Sequence, residues 1–209
     1  DPSPYTAHGC FYGIRAAVEF RMKRKDLKGV RVNMQGVGHV GYPLCKELHE
    51  SGAVLTVTDI HQEHIDRAVK EFGAKAVKPN EIYSVEGDVF APCALGAIIN
   101  DETIPQLKVQ IIAGSANNQL AKNGVHGEEL RRRGILYAPD YVINAGGIIN
   151  VANEVHGRVV KPEAGMKKVE EIYGTLMEVF ATAEKTGQPT ARVADQIAEQ
   201  KILAAKKAA

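Results

Sequence analysis

The residues of this chain that most specifically suggest chemistry form a short glycine-rich segment, GVGHVG, at positions 36–41. The segment lies between a predicted strand and a predicted helix, which is the context in which this glycine spacing binds a dinucleotide. Gly36 permits a tight turn, Gly38 lets the backbone approach a pyrophosphate, and Gly41 lets the helix pack closely on the strand. The helix N-terminus would add unpaired amide N–H groups and a partial positive charge. The segment therefore predicts a dinucleotide-binding turn.

An acidic residue, Asp59, follows the second predicted strand at the distance expected of a ribose-binding acid. A carboxylate there bonds the adenosine ribose hydroxyls and repels a 2′-phosphate, so we expect NAD rather than NADP. Arg67, on the next predicted helix, is interpreted as a solvated charge rather than as a reader of a 2′-phosphate. The alternative is a structural glycine turn followed by a surface aspartate, which the coincidence of strand, turn, helix and acid disfavours.

Three further segments have the composition of ligand-contacting loops: FAPCA at 90–94, AGSANN at 113–118 and PDYVINAGG at 139–147. Each follows or ends a predicted strand, and an open parallel sheet binds ligands beyond the carboxyl ends of its strands. Small residues let the backbone approach a ligand, whereas Asn117 and Asn144 offer both donors and acceptors. We expect these asparagines to contact a carboxamide, a ribose or an amino acid.

Predicted strands alternate with predicted helices, which indicates an α/β, doubly wound, mostly parallel Rossmann sheet with an N-terminal helix and appended C-terminal helices. The predicted strands are residues 30–34, 54–58, 74–77, 88–91, 109–113 and 135–137. We assign residues 1–29 to a linker and N-terminal helix, 30–147 to an NAD-binding domain, and 148–209 to C-terminal helices packed on it. The prolines predict an extended segment at 1–4, with Thr6 capping a helix that ends near Lys25. Pro162 and Pro189 are predicted at helix starts, and Gly187 at a helix end.

The composition is that of an ordinary globular protein, with 44% hydrophobic and 24% charged residues and a net charge of +1. Because the basic residues are spread along the chain, we expect no nucleic-acid partner, and no apolar run predicts a membrane span. The 3 cysteines form no CxxC pair, so we expect no disulfide and a cytoplasmic location. His61 and His64 are close in sequence but lack a set of further ligands, so no metal site is predicted.

From residue 6 to residue 154 the chain resembles the cofactor domain of the Glu/Leu/Phe/Val dehydrogenase family, particularly its leucine (branched-chain amino acid) members. The resemblance rests on TAHG at 6–9, on the glycine segment, on the three loops and on the run NAGGIINVA from Asn144. It implies reversible oxidative deamination of an L-amino acid to a 2-oxo acid, ammonia and NADH, in a homo-oligomer. The hydride chemistry would belong to the nicotinamide of the cofactor.

The resemblance also implies roles for individual residues. Thr6 and Asn144 would lie beside the nicotinamide and the substrate, and Ile148 and Val151 would form an apolar wall against the substrate side chain. The remaining cofactor contacts would be Gly36, Gly38, His39, Val40 and Gly41 at the pyrophosphate, Asp59 and Ile60 at the ribose, and Cys93, Ala94, Ala116 and Asn117 in the groove. Ile148 and Val151 share a helix face by their spacing. No Arg, Lys or Ser occurs at 146–151 to bind a side-chain carboxylate, which disfavours glutamate and favours overlapping use of leucine, isoleucine and valine.

Two positions depart from the family pattern: His39 stands where an asparagine is usual, and Asn153 where an acid is usual. The larger departure is the absence of the family's catalytic lysines and aspartate, which belong to an N-terminal domain. We therefore expect no catalytic residue in this chain, that domain as its partner, and no turnover by the chain alone. The alternative is a stand-alone NAD-binding or regulatory module, which has no need of an apolar substrate wall.

Two other side chains could react. Cys93 has no adjacent histidine, so it is interpreted as a packed thiol rather than as a nucleophile. His8 is open between a general acid near the nicotinamide and an exposed histidine at a helix start.

Overall fold

The computed structural model, which describes residues 1–155 and 162–208, contains one sheet of six parallel strands. The strands are β1 (Arg31–Gln35), β2 (Val54–Thr58), β3 (Lys75–Ala76), β4 (Val89–Pro92), β5 (Ile111–Ile112) and β6 (Leu136–Tyr137). Their order, β3-β2-β1-β4-β5-β6, is that of the doubly wound dinucleotide-binding fold. The predicted fold class is confirmed, and every described strand pair is parallel. The predicted bounds of β2 are confirmed, and the other strands differ from prediction by one or two residues at their ends.

Helices cover both faces of the sheet. They are α1 (Ser3–Met22), α2 (Gly41–Glu50), α3 (Gln62–Phe72), α4 (Asn123–Arg132), α5 (Asp140–Ile143), α6 (Gly146–Val155), α7 (Pro162–Val169), α8 (Ile172–Thr186) and α9 (Thr190–Ala208). Gly187 ends α8 with a φ of 67°, as predicted, because glycine adopts this left-handed conformation at no steric cost. The predictions for the two prolines are also confirmed, since Pro162 begins α7 and Pro189 directly precedes α9. No helix in the described ranges is long and apolar enough to cross a membrane.

The N-terminal residues differ from the prediction. Residues 3 and 4 are helical rather than extended, because α1 begins at Ser3, where the Asp1 carboxylate accepts the Ser3 N–H at 2.9 Å. A proline is tolerated in the first helical turn, where its missing N–H has no partner in any case. Thr6 is not the cap; it lies inside the helix, and its Oγ1 donates to the Pro2 carbonyl at 3.2 Å. The helix ends at Met22, three residues before the predicted end.

The core consists of two apolar layers on opposite faces of the sheet. Alternate strand residues point to opposite faces, so Val89 and Ile111 belong to the layer under α1 and α8, while Phe90 and Ile112 belong to the other. In the first layer α1 lies very close to its neighbours, because a Cβ at Gly9 would stand 2.7 Å from Ile172 Cδ1. In an open parallel sheet covered on both faces, ligands bind beyond the carboxyl ends of the strands.

Candidate functional site

The turn after β1 brings the three predicted glycines against the start of α2. Gly36 has a φ of 93°, which favours glycine, and a Cβ there would stand 2.8 Å from Ala94 Cβ. A Cβ at Gly41 would stand 2.1 Å from the Gly36 carbonyl oxygen, so α2 reaches the end of the strand only because residue 41 has no side chain. A Cβ at Gly38 would meet nothing within 4 Å. Gly38 therefore leaves open space beside the first turn of α2.

Asp59 lies directly after β2 and holds the glycine turn. Its Oδ2 accepts the Val37 N–H at 2.8 Å, and its Oδ1 accepts the His61 N–H at 2.9 Å. Burial opposes ionisation of this carboxyl group, but the two amide hydrogen bonds and the nearby His64 outweigh it and lower the pKa of Asp59. The end of β2 thus presents a carboxylate.

The loops that follow β4 and β5 are fixed by buried hydrogen bonds. Gln119 is fully buried, and its Nε2 donates to the carbonyls of Gly114 and Ala116 at 2.8 and 2.9 Å. The Ala116 N–H in turn donates to the Pro92 carbonyl at 2.9 Å. Ala116 is only 6% exposed, so its side chain packs within this loop, and the groove contact that the resemblance implies for it stays a prediction.

The two predicted asparagines contact each other. Asn144, at the end of α5, donates from Nδ2 to Asn117 Oδ1 at 2.5 Å and to the Ser115 carbonyl at 3.4 Å. Among the described contacts this pairing uses one donor of Asn144 and the acceptor of Asn117. The amide nitrogen of Asn117 and the oxygen of Asn144 are therefore suited to contact a ligand that needs both kinds of group.

The asparagine pair lines a cleft of about 650 Å³ that most of the predicted nicotinamide and substrate residues share. The lining consists of Pro2, Ser3, Thr6, Val40, Ser115, Asn117, Asn144, Gly147, Ile148 and Val151. Val40 comes from the glycine segment, so the cleft continues to the dinucleotide turn. Its size and its mixed apolar and polar lining are those of a small-molecule site.

The apolar side of the cleft is formed by the start of α6, which packs against α1. A Cβ at Gly146 would stand 2.1 Å from the Tyr5 carbonyl oxygen, and one at Gly147 2.9 Å from Thr6 Oγ1. Two adjacent glycines therefore let the two helices touch. This contact leaves Ile148 and Val151 at the cleft with 73% and 46% of their surface exposed, so both branched side chains are accessible to a ligand or another domain.

The structure places the remaining predicted residues at the same edge of the sheet but outside this cleft. His39 and Ala94 are exposed, and Ile60 is 85% exposed beside Asp59. Sequence reasoning missed four residues of the cleft: Pro2 and Ser3, which were assigned to a linker, together with Ser115 and Gly147. Ser115 lies within the AGSANN motif, so its neighbours were a usable signal. The side chain of Asn153 lies outside the described part of the chain.

The side chains considered for other chemistry have structural contacts. His8 is bonded to Glu47 at 2.9 Å and faces Glu170 at 3.6 Å, so it is neither exposed nor in the cleft. Burial raises the pKa of the Cys93 thiol, although hydrogen bonds from Ser115 act in the opposite direction, which is consistent with a packed thiol. All three cysteines are free. Among the described residues no three His, Cys, Asp or Glu side chains gather as metal ligands.

The residues at this edge fit a dinucleotide. The open space beside Gly38 is where a pyrophosphate would lie, and the N-terminus of α2, after Val40, has no side-chain cap that competes for its amides. Thr58 Oγ1, at the end of β2, is buried and has no hydrogen-bond partner among the described residues. Asp59 adds the acid that an adenosine ribose requires.

Comparison with known proteins gives consistent matches over this chain. A sequence model of the Glutamate/Leucine/Phenylalanine/Valine dehydrogenase family matches residues 55–209. Leucine dehydrogenase of Geobacillus stearothermophilus is 55% identical over 208 residues, which are 100% of this chain and 56% of that enzyme. L-tryptophan dehydrogenase of Nostoc punctiforme is 48% identical over 206 residues, which are 99% of this chain and 58% of that enzyme. The chain thus spans little more than half the length of these relatives.

Solved structures agree with the sequence matches. The crystal structure of L-tryptophan dehydrogenase from Nostoc punctiforme superposes with a TM-score of 0.95 at 47% identity, covering 99% of this chain and 62% of that one. Glutamate dehydrogenase from Peptoniphilus asaccharolyticus shares the fold, with a TM-score of 0.71 at 18% identity over 98% of this chain and 53% of that one. With the family match, the sequence identities and the dinucleotide-type edge of the sheet in agreement, the chain belongs to the Glutamate/Leucine/Phenylalanine/Valine dehydrogenase family.

Proposed function

We propose that this chain is the NAD-binding part of an amino acid dehydrogenase that reversibly deaminates a branched-chain L-amino acid to its 2-oxo acid, ammonia and NADH. The observation that carries the proposal is the cleft in which the Asn117–Asn144 pair faces Ile148 and Val151, next to the glycine turn. A stand-alone NAD-binding module would have no use for an exposed apolar wall at this place. The relatives named leucine dehydrogenase support the same substrate class.

The residues of the chain would bind and orient the reactants. The turn at 36–41 would hold the pyrophosphate, Asp59 would bond the ribose, and Asn117 and Asn144 would orient the nicotinamide against the substrate. Bound NAD supplies the hydride acceptor. The lysines that move protons in this family would come from an N-terminal catalytic domain, which the proposal includes as a partner, together with assembly into a cytoplasmic homo-oligomer.

Two observations support NAD over NADP. The lowered pKa of Asp59 keeps a negative charge where a 2′-phosphate would lie. The cation nearest in sequence that could neutralise that phosphate, Arg67, is instead bonded to Glu71 at 3.2 Å and stacked on the Tyr42 ring at 3.6 Å. The cofactor side of the fold therefore favours a free ribose hydroxyl.

Calorimetry of the chain with NADH and with NADPH tests the cofactor assignment. We expect NADH to bind at least about tenfold more tightly, a difference of ~1.4 kcal/mol. Asp59→Ser should narrow this ratio, whereas Asp66→Ser, which removes an exposed carboxylate from α3, should leave it unchanged. Equal affinities for the two cofactors, or tighter binding of NADPH, would contradict the proposal.

A further inference from the structure

Asp140 is a buried acid that does not line the cleft, although it bonds to the segments that carry two cleft residues, Asn117 and Asn144. Asp140 is 9% exposed and is the first residue of the four-residue helix α5. The residue that directly follows α5 is Asn144, which contacts Asn117. A buried carboxylate is costly unless hydrogen bonds satisfy it. The contacts of Asp140 therefore indicate what its burial accomplishes.

One carboxylate oxygen joins α5 to the loop after β5. Asp140 Oδ2 accepts the backbone N–H of Asn118, a residue in the left-handed region with a φ of 50°. The Asn118 carbonyl also accepts the Ala97 N–H at 2.7 Å, so this residue is held on two sides. Because Asn118 directly follows Asn117, the bond to Asp140 fixes the backbone from which the Asn117 side chain projects.

The other oxygen and the main chain of Asp140 fix the α5 side. Its Oδ1 accepts the Tyr137 hydroxyl at 3.3 Å, and its carbonyl accepts the Asn144 N–H at 2.9 Å. Burial and the neighbouring Asp140 raise the pKa of Tyr137, so the phenol remains a donor. A single residue thus bonds to the segments that carry both asparagines.

We propose that Asp140 is a positioning residue that sets the spacing of Asn117 and Asn144, and so orients the nicotinamide end of the cofactor without touching it. The inference rests on the proposed function. It explains why a buried acid occurs here: a carboxylate accepts bonds at two oxygens at once, and bonds to a charged acceptor are stronger than neutral ones. An alanine would leave the Asn118 N–H without a partner and free the two loops from each other.

Calorimetry with NADH and with ADP-ribose separates positioning from general damage, because ADP-ribose lacks the nicotinamide. Asp140→Ala should weaken NADH about tenfold and leave ADP-ribose within about twofold. Asp140→Asn should restore most of the NADH affinity, since its amide oxygen still accepts the Asn118 N–H. Asn144→Ala should resemble Asp140→Ala, and the double variant should lose less than the product of the two single losses, since coupled residues are not additive.

The outcomes distinguish the inference from the proposed function. If the unmodified chain binds neither NADH nor ADP-ribose, the proposed function fails. If it binds both, but Asp140→Ala leaves NADH unchanged or weakens the two ligands equally, only the positioning role is overturned. Full additivity of the Asp140 and Asn144 variants would overturn it as well. Thermal melts verify that each variant folds. If Asp140→Ala does not fold, Tyr137→Phe replaces it, and its affinity for NADH should fall about threefold while its affinity for ADP-ribose stays unchanged. An unchanged NADH affinity in Tyr137→Phe would refute the positioning role.

Discussion

Two glycines of the turn, three positions apart, should respond in opposite ways to the same added methyl group. At Gly38 the new Cβ has no neighbour within 4 Å, and the residue is not in the left-handed region. At Gly41 the new Cβ would stand 2.1 Å from a backbone carbonyl oxygen, which has no side-chain freedom with which to move aside. Packing thus explains the second glycine, and we expect a bound ligand to account for the first.

The magnitudes follow from these surroundings. Gly38→Ala should stabilise the chain by ~0.4–1 kcal/mol, because alanine loses less conformational freedom on folding. Gly41→Ala should destabilise it by about 3 kcal/mol, at the upper end of overpacking costs, since backbone must shift. For a chain of this size these values correspond to a Tm increase of about 1–4 °C and a Tm decrease of about 6–12 °C. NADH affinity of Gly38→Ala should fall at least about tenfold, because the methyl group occupies the space for the pyrophosphate.

Thermal melts and NADH calorimetry on the two variants test this reasoning. Gly124→Ala is a matched control. Its Cβ also meets nothing within 4 Å, but residue 124 lies near the start of α4, outside the glycine turn at 36–41. The control should gain stability like Gly38→Ala and keep its NADH affinity. An unchanged NADH affinity in Gly38→Ala would show that no phosphate lies over this residue. A Gly41→Ala variant as stable as the parent chain would refute the packing argument.

Three further predictions concern pH, activity and substrate. The Glu47 carboxylate accepts a hydrogen bond from His8 and raises the pKa of His8 against the effect of burial. The stabilisation by this pair is therefore complete below the ordinary histidine value of 6.5 and is lost as pH rises through the raised pKa. Stability measured from pH 5 to 9 should show this loss in the parent chain and in His49→Gln, but not in His8→Gln. The chain alone should show no leucine-dependent NADH formation, and clear turnover by a pure sample would contradict the assignment of the lysines to another domain. When the chain is joined to the family's N-terminal domain, it should have a higher kcat/KM for leucine and valine than for glutamate, and Ile148→Ala should shift the preference by ~1–3 kcal/mol toward larger side chains. A preference for glutamate would refute the proposal that Ile148 and Val151 contact the substrate side chain.

The turn and its acid could be predicted from sequence because their constraints are local. Gly36 needs a positive φ, Gly41 needs the absence of a side chain, and both requirements follow from a strand that turns directly into a helix. The fold class followed from the alternation of elements. None of these features depends on which distant segments come together.

The remainder of the site depends on tertiary contacts that spacing does not reveal. Asn117 and Asn144 were expected to contact a ligand, but their contact with each other requires α5 to lie against the β5 loop. The packing of α6 against α1 requires Gly146 to lie opposite the Tyr5 carbonyl, and these two residues are far apart in the sequence. The N-terminal error had a local cause, since prolines favour both extended segments and first helical turns, and in the structure the Asp1 carboxylate accepts the Ser3 N–H at the start of the helix.

The position of Asp59 has a physical origin that bears on its variants. The parallel register pairs Gln35 with Thr58, and the Gly36 N–H donates to the Thr58 carbonyl at 2.8 Å, so the residue after β2 must lie beside the glycine turn. The strand pairing in this βαβ unit therefore places Asp59 beside the glycine turn, and the length of the connecting helix does not change that position. Once there, the carboxylate accepts the Val37 N–H, so it shapes the turn in addition to the ribose contact that we propose for it. A substitution at Asp59 should therefore weaken NADH itself while it relaxes discrimination against NADPH, and cofactor preference cannot be changed at this residue alone without loss of affinity.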